Sequence, residues 1–163
     1  MTSATSQRLN VLNRPPRVGM IRTLPVALDR MVLALPDDHR PAGSGEVSLD
    51  QLNDQPFVMY APVESRYHHD LLTGLFRSCD LRPRFVQYAR ETHTILALIG
   101  TGIGLAIVPQ NAVRLRPHNV TVVGRKQAKP IHSELTLAWL RRHDNPALEA
   151  FCRLAKDEIA PKL

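Results

Sequence analysis

The feature that most constrains this chain is a regular alternation, between residues 56 and 123, of short apolar runs with stretches of helical period. The runs are Phe57-Val58-Met59-Tyr60, Arg84 to Tyr88, Leu105-Ala106-Ile107-Val108 and Val120-Thr121-Val122-Val123. Between them, Arg66 to Cys79 carries Leu71, Leu72, Leu75, Phe76 and Cys79 on one helical face, and Thr92 to Gly100 is dense in Ile95, Leu96, Leu98 and Ile99. A short helix is expected from Gln110 to Leu115. Spacings of three and four mark helices, and brief continuous apolar runs mark strands buried on both faces. Strands alternating with helices predict an α/β fold with a mostly parallel sheet covered on both sides.

The flanks follow other rules. Residues 1–16 are polar, end in Pro15-Pro16 and lack periodicity, so they are expected to be disordered. A strand is expected at Arg17 to Ile21, broken by Leu24-Pro25, and a second at Met31 to Leu35, closed by Pro36. Asp37 to Glu46, with Pro41, Gly43 and Gly45, has turn chemistry. Ser48 is the expected N-cap of a helical turn reaching Leu52. Near the C-terminus, Glu134 to Leu140 reads as a strand with Leu135, Leu137 and Trp139 on one face. Pro146 to Ile159 reads as an amphipathic helix with Leu148, Phe151, Leu154 and Ala155 inward.

At 163 residues the chain suffices for one domain or two small lobes. Its 44% hydrophobic and 22% charged composition is that of a globular protein. No apolar stretch reaches membrane-spanning length, and the N-terminus lacks the apolar core of a secretory signal, so a cytoplasmic location is expected. Cys79 and Cys152 form no CxxC and read as buried free thiols. Lysine and arginine number 21 against 15 acidic residues, with clusters at Arg114/Arg116, Arg125/Lys126/Lys129 and Arg141/Arg142. None lies on a helix resembling a recognition helix. A solvated basic surface is therefore expected, without sequence-specific DNA binding by this chain alone.

Gly100-Thr101-Gly102-Ile103-Gly104 invites a phosphate-loop reading, but here the glycines follow a helix and precede a strand. Pyrophosphate binding needs the reverse order. A helix end with a tight turn into the central strand accounts for them. His68 and His69 are adjacent, hence about 100° apart on a helix, and cannot face one metal ion. Ser65, His68 and Asp70 lack a nucleophile elbow and lie too close in sequence to form a triad. No catalytic residue, metal or cofactor is therefore expected.

One constellation remains. The helices beginning near Ser65 and Thr92 each follow a strand, so both N-termini should emerge at the carboxyl edge of one sheet, where open α/β sheets bind ligands. Arg66, Tyr67, His68, Thr92 and His93 stand there beside helix-end amides suited to an anion. Two readings stay open: these residues hold a small polar ligand, or Ser65 and Thr92 cap their helices while Arg66 and His68 face solvent.

Several segments, taken in order, are similar to the effector domain of LysR-type transcriptional regulators. They are Val32-Leu33-Ala34-Leu35-Pro36 with Asp38-His39; Ser48 to Leu52; Pro56 to Tyr60; Leu81-Arg82-Pro83-Arg84 in place of the family's "G-x-x-P" helix end; Ile95 through Pro109; and Leu135 to Trp139. The likeness spans roughly residues 17–159. It implies a periplasmic-binding-protein-like (type 2) fold in which two α/β lobes are joined by crossing strands, here Met31 to Pro36 and Glu134 to Leu140. Residues 38–124 would form one complete lobe, and 17–37 with 125–163 a partial one, the family's opening DNA-binding region and first-lobe elements falling outside the match. The resemblance also implies a small-molecule effector, an organic carboxylate or similar polar ligand. It would contact Ser65, Arg66, Tyr67, His68, Glu91 and Thr92, with His93 beside them. Partners would be further copies of the chain or related regulators.

Overall fold

The computed structural model describes residues 10–12, 19–39, 46–115, 118–126, 130–142 and 145–159. Residues 1–9, Arg17-Val18 and the expected turn at Pro41, Gly43 and Gly45 lie outside them. The chain divides into two compact units, residues 1–29 with 133–163 and residues 30–132. The division falls at Asp29/Arg30 and His132/Ser133.

In that larger unit β2 (Ile21–Pro36) contributes its buried second half, Met31 to Pro36. It runs antiparallel to β6 (Ala106–Pro109) through Met31↔Pro109 and to β7 (Val120–Lys126) through Leu33↔Val123. β3 (Glu46–Ser48) joins β7 in parallel. β4 (Pro56–Tyr60) and β5 (Arg84–Ala89) form a parallel pair, tied to β6 by a parallel bridge between Phe57 and Leu105. Parallel pairing thus holds as expected, with β2 as the antiparallel member.

Met31 to Leu35 is buried on both faces because β2 lies between β6 and β7 and beneath the core shared with the helices. α1 (Arg66–Ser78) buries Leu72, Leu75 and Phe76, the spacing that puts three side chains on one stripe. α2 (Thr92–Gly100) buries Ile95, Leu96 and Ile99 over β4, β5, β6 and β7. Phe57, fully buried, meets the Phe76 ring edge-on at 5.3 Å and thereby fixes α1 over β4. α1 stops where Asp80 takes φ 49°, and Leu81 N–H reaches back to Phe76 O at 2.8 Å. This is the left-handed helix ending that glycine usually supplies.

Several local expectations are corrected. Leu24-Pro25 does not interrupt β2. Pro25 is exposed, and a strand tolerates proline where its missing N–H faces no partner. Gly19 and Met20, read as strand, form a turn, and the strand begins at Ile21. Asn10 to Leu12, read as disordered, form β1, antiparallel to β8 (His132–Leu140) through Val11↔Leu137; the partner lies far along the chain, so no local signal announces it. Ser48 precedes a 3-10 turn (Leu49–Leu52) and makes no side-chain cap bond; its Oγ approaches the Asp50 carboxylate instead.

In β8, Thr136, Leu137 and Ala138 are all buried, so both faces are covered and the expected alternation is lost. α3 (Pro146–Leu154) has a true N-cap in Asn145, whose Oδ1 accepts from Ala147 N–H and Leu148 N–H, and it runs on as a π-helical turn from Ala155 to Ile159. Its buried stripe is narrow. Leu148 and Ala155, seven residues apart, are inward, whereas Phe151 and Leu154, expected inward, rotate off the stripe and are 41% and 57% exposed.

Candidate ligand-binding site

β4 and β5 run side by side with Tyr60 opposite Ala89, and Ala61 N–H donates to Ala89 O at 2.9 Å. Their carboxyl ends therefore leave the sheet together. Each is followed at once by a helix start, Arg66 for α1 and Thr92 for α2. In α2 the intrahelical ladder opens with Ile95 N–H donating to Glu91 O, so the amides of Thr92, His93 and Thr94 stand ahead of it. In α1 the corresponding bond is His69 N–H to Ser65 O. Both helix ends present partial positive charge at the same edge.

Side-chain contacts tie the two helix starts to each other and to β4. Ser65 Oγ donates to the Arg90 carbonyl, joining the loop before α1 to the loop before α2. The Tyr60 hydroxyl lies 2.9 Å from Thr92 Oγ1. The Tyr60 ring stacks on His68 at 4.7 Å and 23°, and Tyr67 meets His68 edge-on at 5.2 Å. Tyr60 is 1% exposed, so it forms the floor of this cluster, with half-buried His68, Tyr67 and Thr92 around it.

The expected residues thus separate into two groups. Ser65, Tyr67, His68 and Thr92 are brought together. Glu91 and His93 flank the start of α2 and are exposed. Arg66 extends into solvent, its side chain 80% exposed and 3.5 Å from Asp70 one turn on. Neither expected cap is a cap: Ser65 and Glu91 occupy the N-cap positions without side-chain cap bonds, and Thr92 is the first helical residue, its hydroxyl given to Tyr60.

Sequence reasoning placed Tyr60 in a buried strand and missed its role. The available signal was its position: it is the last residue of an apolar run, just before the turn, and carries the one hydroxyl of that run. Among the described residues no group of three or more His, Cys, Asp or Glu stands close enough to hold a metal ion. A separate cavity of about 490 Å³, lined by Gly19, Met20, Leu140, Arg141 and Arg142, belongs to the smaller unit.

The chain is similar to known proteins. Residues 9–160 match the LysR substrate binding domain family. The chain is 31% identical over 158 residues to the HTH-type transcriptional regulator TtuA of Agrobacterium vitis, covering 93% of this chain and 52% of that one. It is 27% identical over 153 residues to the regulator ShiR of Corynebacterium glutamicum, covering 94% and 52%. The chain spans about half the length of these relatives. Among solved structures, the effector binding domain of QuiR in complex with shikimate superposes with a TM-score of 0.77 at 21% identity, covering 90% of this chain and 69% of that one. The BenM effector binding domain with its effector benzoate gives 0.76 at 15%, covering 91% and 67%. These likenesses show a shared periplasmic-binding-protein-like α/β fold. Among the described residues no helix is long and apolar enough to cross a membrane. With residues 9–160 matched, this chain belongs to the LysR substrate-binding domain family.

Proposed function

We propose that this chain senses a small organic carboxylate at the carboxyl edge of β4 and β5, as the effector-binding part of a transcriptional regulator and without turnover. Tyr60 carries the reading, because one buried side chain gathers Thr92 from one helix start and His68 from the other. The result is a cluster of donors and ring faces where two helix ends already favour an anion. Ser65, Arg66, Tyr67, His68, Glu91, Thr92 and His93 form its rim. Shikimate and benzoate, held by the QuiR and BenM domains, are both ring carboxylates.

Arg66 supplies a movable countercharge. Its exposed pairing with Asp70 is weak enough to exchange for a ligand carboxylate, which a guanidinium grips at two points. Chemical-shift mapping with shikimate, benzoate and short aliphatic acids tests the site. The expected perturbations cluster at residues 61–68 and 91–93 and weaken in Arg66→Ala. Perturbations elsewhere, or none with any acid, refute it.

The relatives are transcriptional regulators, which supports a cytoplasmic location for this chain and its association with copies of itself or with related regulators. Exposed Phe151 and Leu154 on α3 supply apolar surface for that association. Sedimentation at increasing concentration reads it directly, and a monomer throughout would refute it.

A further inference from the structure

We propose that Tyr60 sets the hydrogen-bond polarity of this site, orienting the Thr92 hydroxyl so that it donates to the ligand. The inference rests on the reading of the β4–β5 edge as the ligand site. It goes further by assigning a specificity role to a residue that need not touch ligand. The Tyr60 oxygen is 2.9 Å from Thr92 Oγ1; Tyr60 is 1% exposed and Thr92 half-buried, so the pair links the floor of the cluster to its rim.

A phenol, with pKa near 10, is a far better donor than an aliphatic alcohol. Either hydroxyl could donate at this distance, and the more acidic phenol favours Tyr60 as the donor and Thr92 as the acceptor. A threonine hydroxyl has one proton and two lone pairs. With one lone pair engaged below, its proton is directed away from Tyr60. The amides at the start of α2 are donors as well. The polar groups that α2 offers at this edge thus share one sign, and they fit an acceptor-only group such as a carboxylate. A primary amide, which presents N–H groups of its own, meets donors with donors. The stack of Tyr60 on His68 at 4.7 Å does not involve the hydroxyl, so Tyr60→Phe removes the polarity and leaves the ring contact in place.

Two measurements on the 163-residue chain test this. First, affinities for benzoate and benzamide, and for shikimate and its primary amide, are compared in wild type and Tyr60→Phe. The acid-over-amide preference should fall by about tenfold, the size of one charge-assisted hydrogen bond, with amide binding nearly unchanged. Adding Tyr60→Phe to Thr92→Val should change the preference no further. An equal loss for acid and amide marks a merely structural role and overturns the proposal.

Second, three-bond couplings to the Thr92 methyl report its side-chain rotamer without ligand. A single rotamer in wild type should become averaged in Tyr60→Phe. A rotamer that stays fixed in Tyr60→Phe overturns the proposal whether or not any acid binds. If no acid binds wild type, the reading of the site fails, while the couplings still decide whether Tyr60 orients Thr92.

Discussion

Gly104→Ala should destabilise the larger unit severely, for a reason that distinguishes a structural glycine from a phosphate-binding one. A Cβ built on Gly104 meets Pro56 O at 2.6 Å, Pro56 C at 2.8 Å and Pro56 Cβ at 3.2 Å. The first two are backbone atoms of β4 and cannot swing aside as a side-chain tip does. Relief requires β6 to move from β4, and the contacts at risk are Leu105 N–H to Pro56 O and Val58 N–H to Leu105 O, both 2.8 Å. Overpacking of this kind costs about 1–3 kcal/mol and each hydrogen bond roughly 1 kcal/mol. Reduced unfolded-state entropy returns about 0.4–1 kcal/mol. The net loss is about 2–4 kcal/mol, a large part of the roughly 5–15 kcal/mol that holds a domain folded.

Gly102 is the internal control. Its φ of 81° disfavours a side chain, but an added Cβ meets nothing within 4 Å, so Gly102→Ala should cost only about 1 kcal/mol. Urea unfolding of both variants, followed by circular dichroism, orders them. A Gly104→Ala protein within about 0.5 kcal/mol of wild type, or less affected than Gly102→Ala, refutes the steric reasoning. Protection of wild type by a nucleotide would revive the phosphate-loop alternative.

Four further outcomes follow from single contacts. Phe57→Ala, which empties a fully buried ring site against Phe76, should cost about 3–5 kcal/mol by the same unfolding assay, whereas Phe57→Leu should cost much less. Asp80→Gly should stabilise by about 0.5–1 kcal/mol, because it puts the permissive residue at φ 49° and sacrifices only an exposed 3.5 Å pairing with Arg82; a lower urea midpoint would contradict this. Arg66→Ala should leave stability within about 0.5 kcal/mol, so any loss of ligand response in that variant is a binding effect and not unfolding. Burial raises the Cys152 thiol above its ordinary value, so in a Cys79→Ser background iodoacetamide at pH 8 should modify it more slowly than free cysteine, with the rate recovering only as pH rises further; an equal rate at pH 8 would show that its thiolate is not disfavoured.

What could be read from the sequence depended on whether its cause was local. α2 from Thr92 to Gly100 was legible residue for residue, because its apolar spacing and the glycine turn after it are both short-range signals. So was the shared edge of β4 and β5, since two strand-helix units in sequence place their helix starts on one side of a parallel sheet. β1 was illegible because Asn10 to Leu12 are strand only through pairing with residues 136–138. The length of β2 was hidden for a related reason: Pro25 is a breaker by local rules and harmless on an exposed stretch.

The site divides in the same way. That Ser65, Tyr67, His68 and Thr92 would stand at one edge follows from topology. How they would be used does not, since it turns on partners distant in sequence. Ser65 and Thr92 have the chemistry of helix caps, and taken alone each would satisfy its own helix. In the folded chain each hydroxyl is drawn to a partner that topology brings near, Arg90 O for Ser65 and the Tyr60 hydroxyl for Thr92. Local capping therefore yields to contacts that join β4, β5, α1 and α2. A side chain released from capping its own helix can hold two helix starts in fixed relation. The order of forces predicts that Thr92→Ser, which keeps the hydroxyl, should preserve the Tyr60 bond and ligand response, while Thr92→Val, which keeps the shape, should lose both. The reverse ranking in the acid titrations would show that Thr92 acts through packing alone.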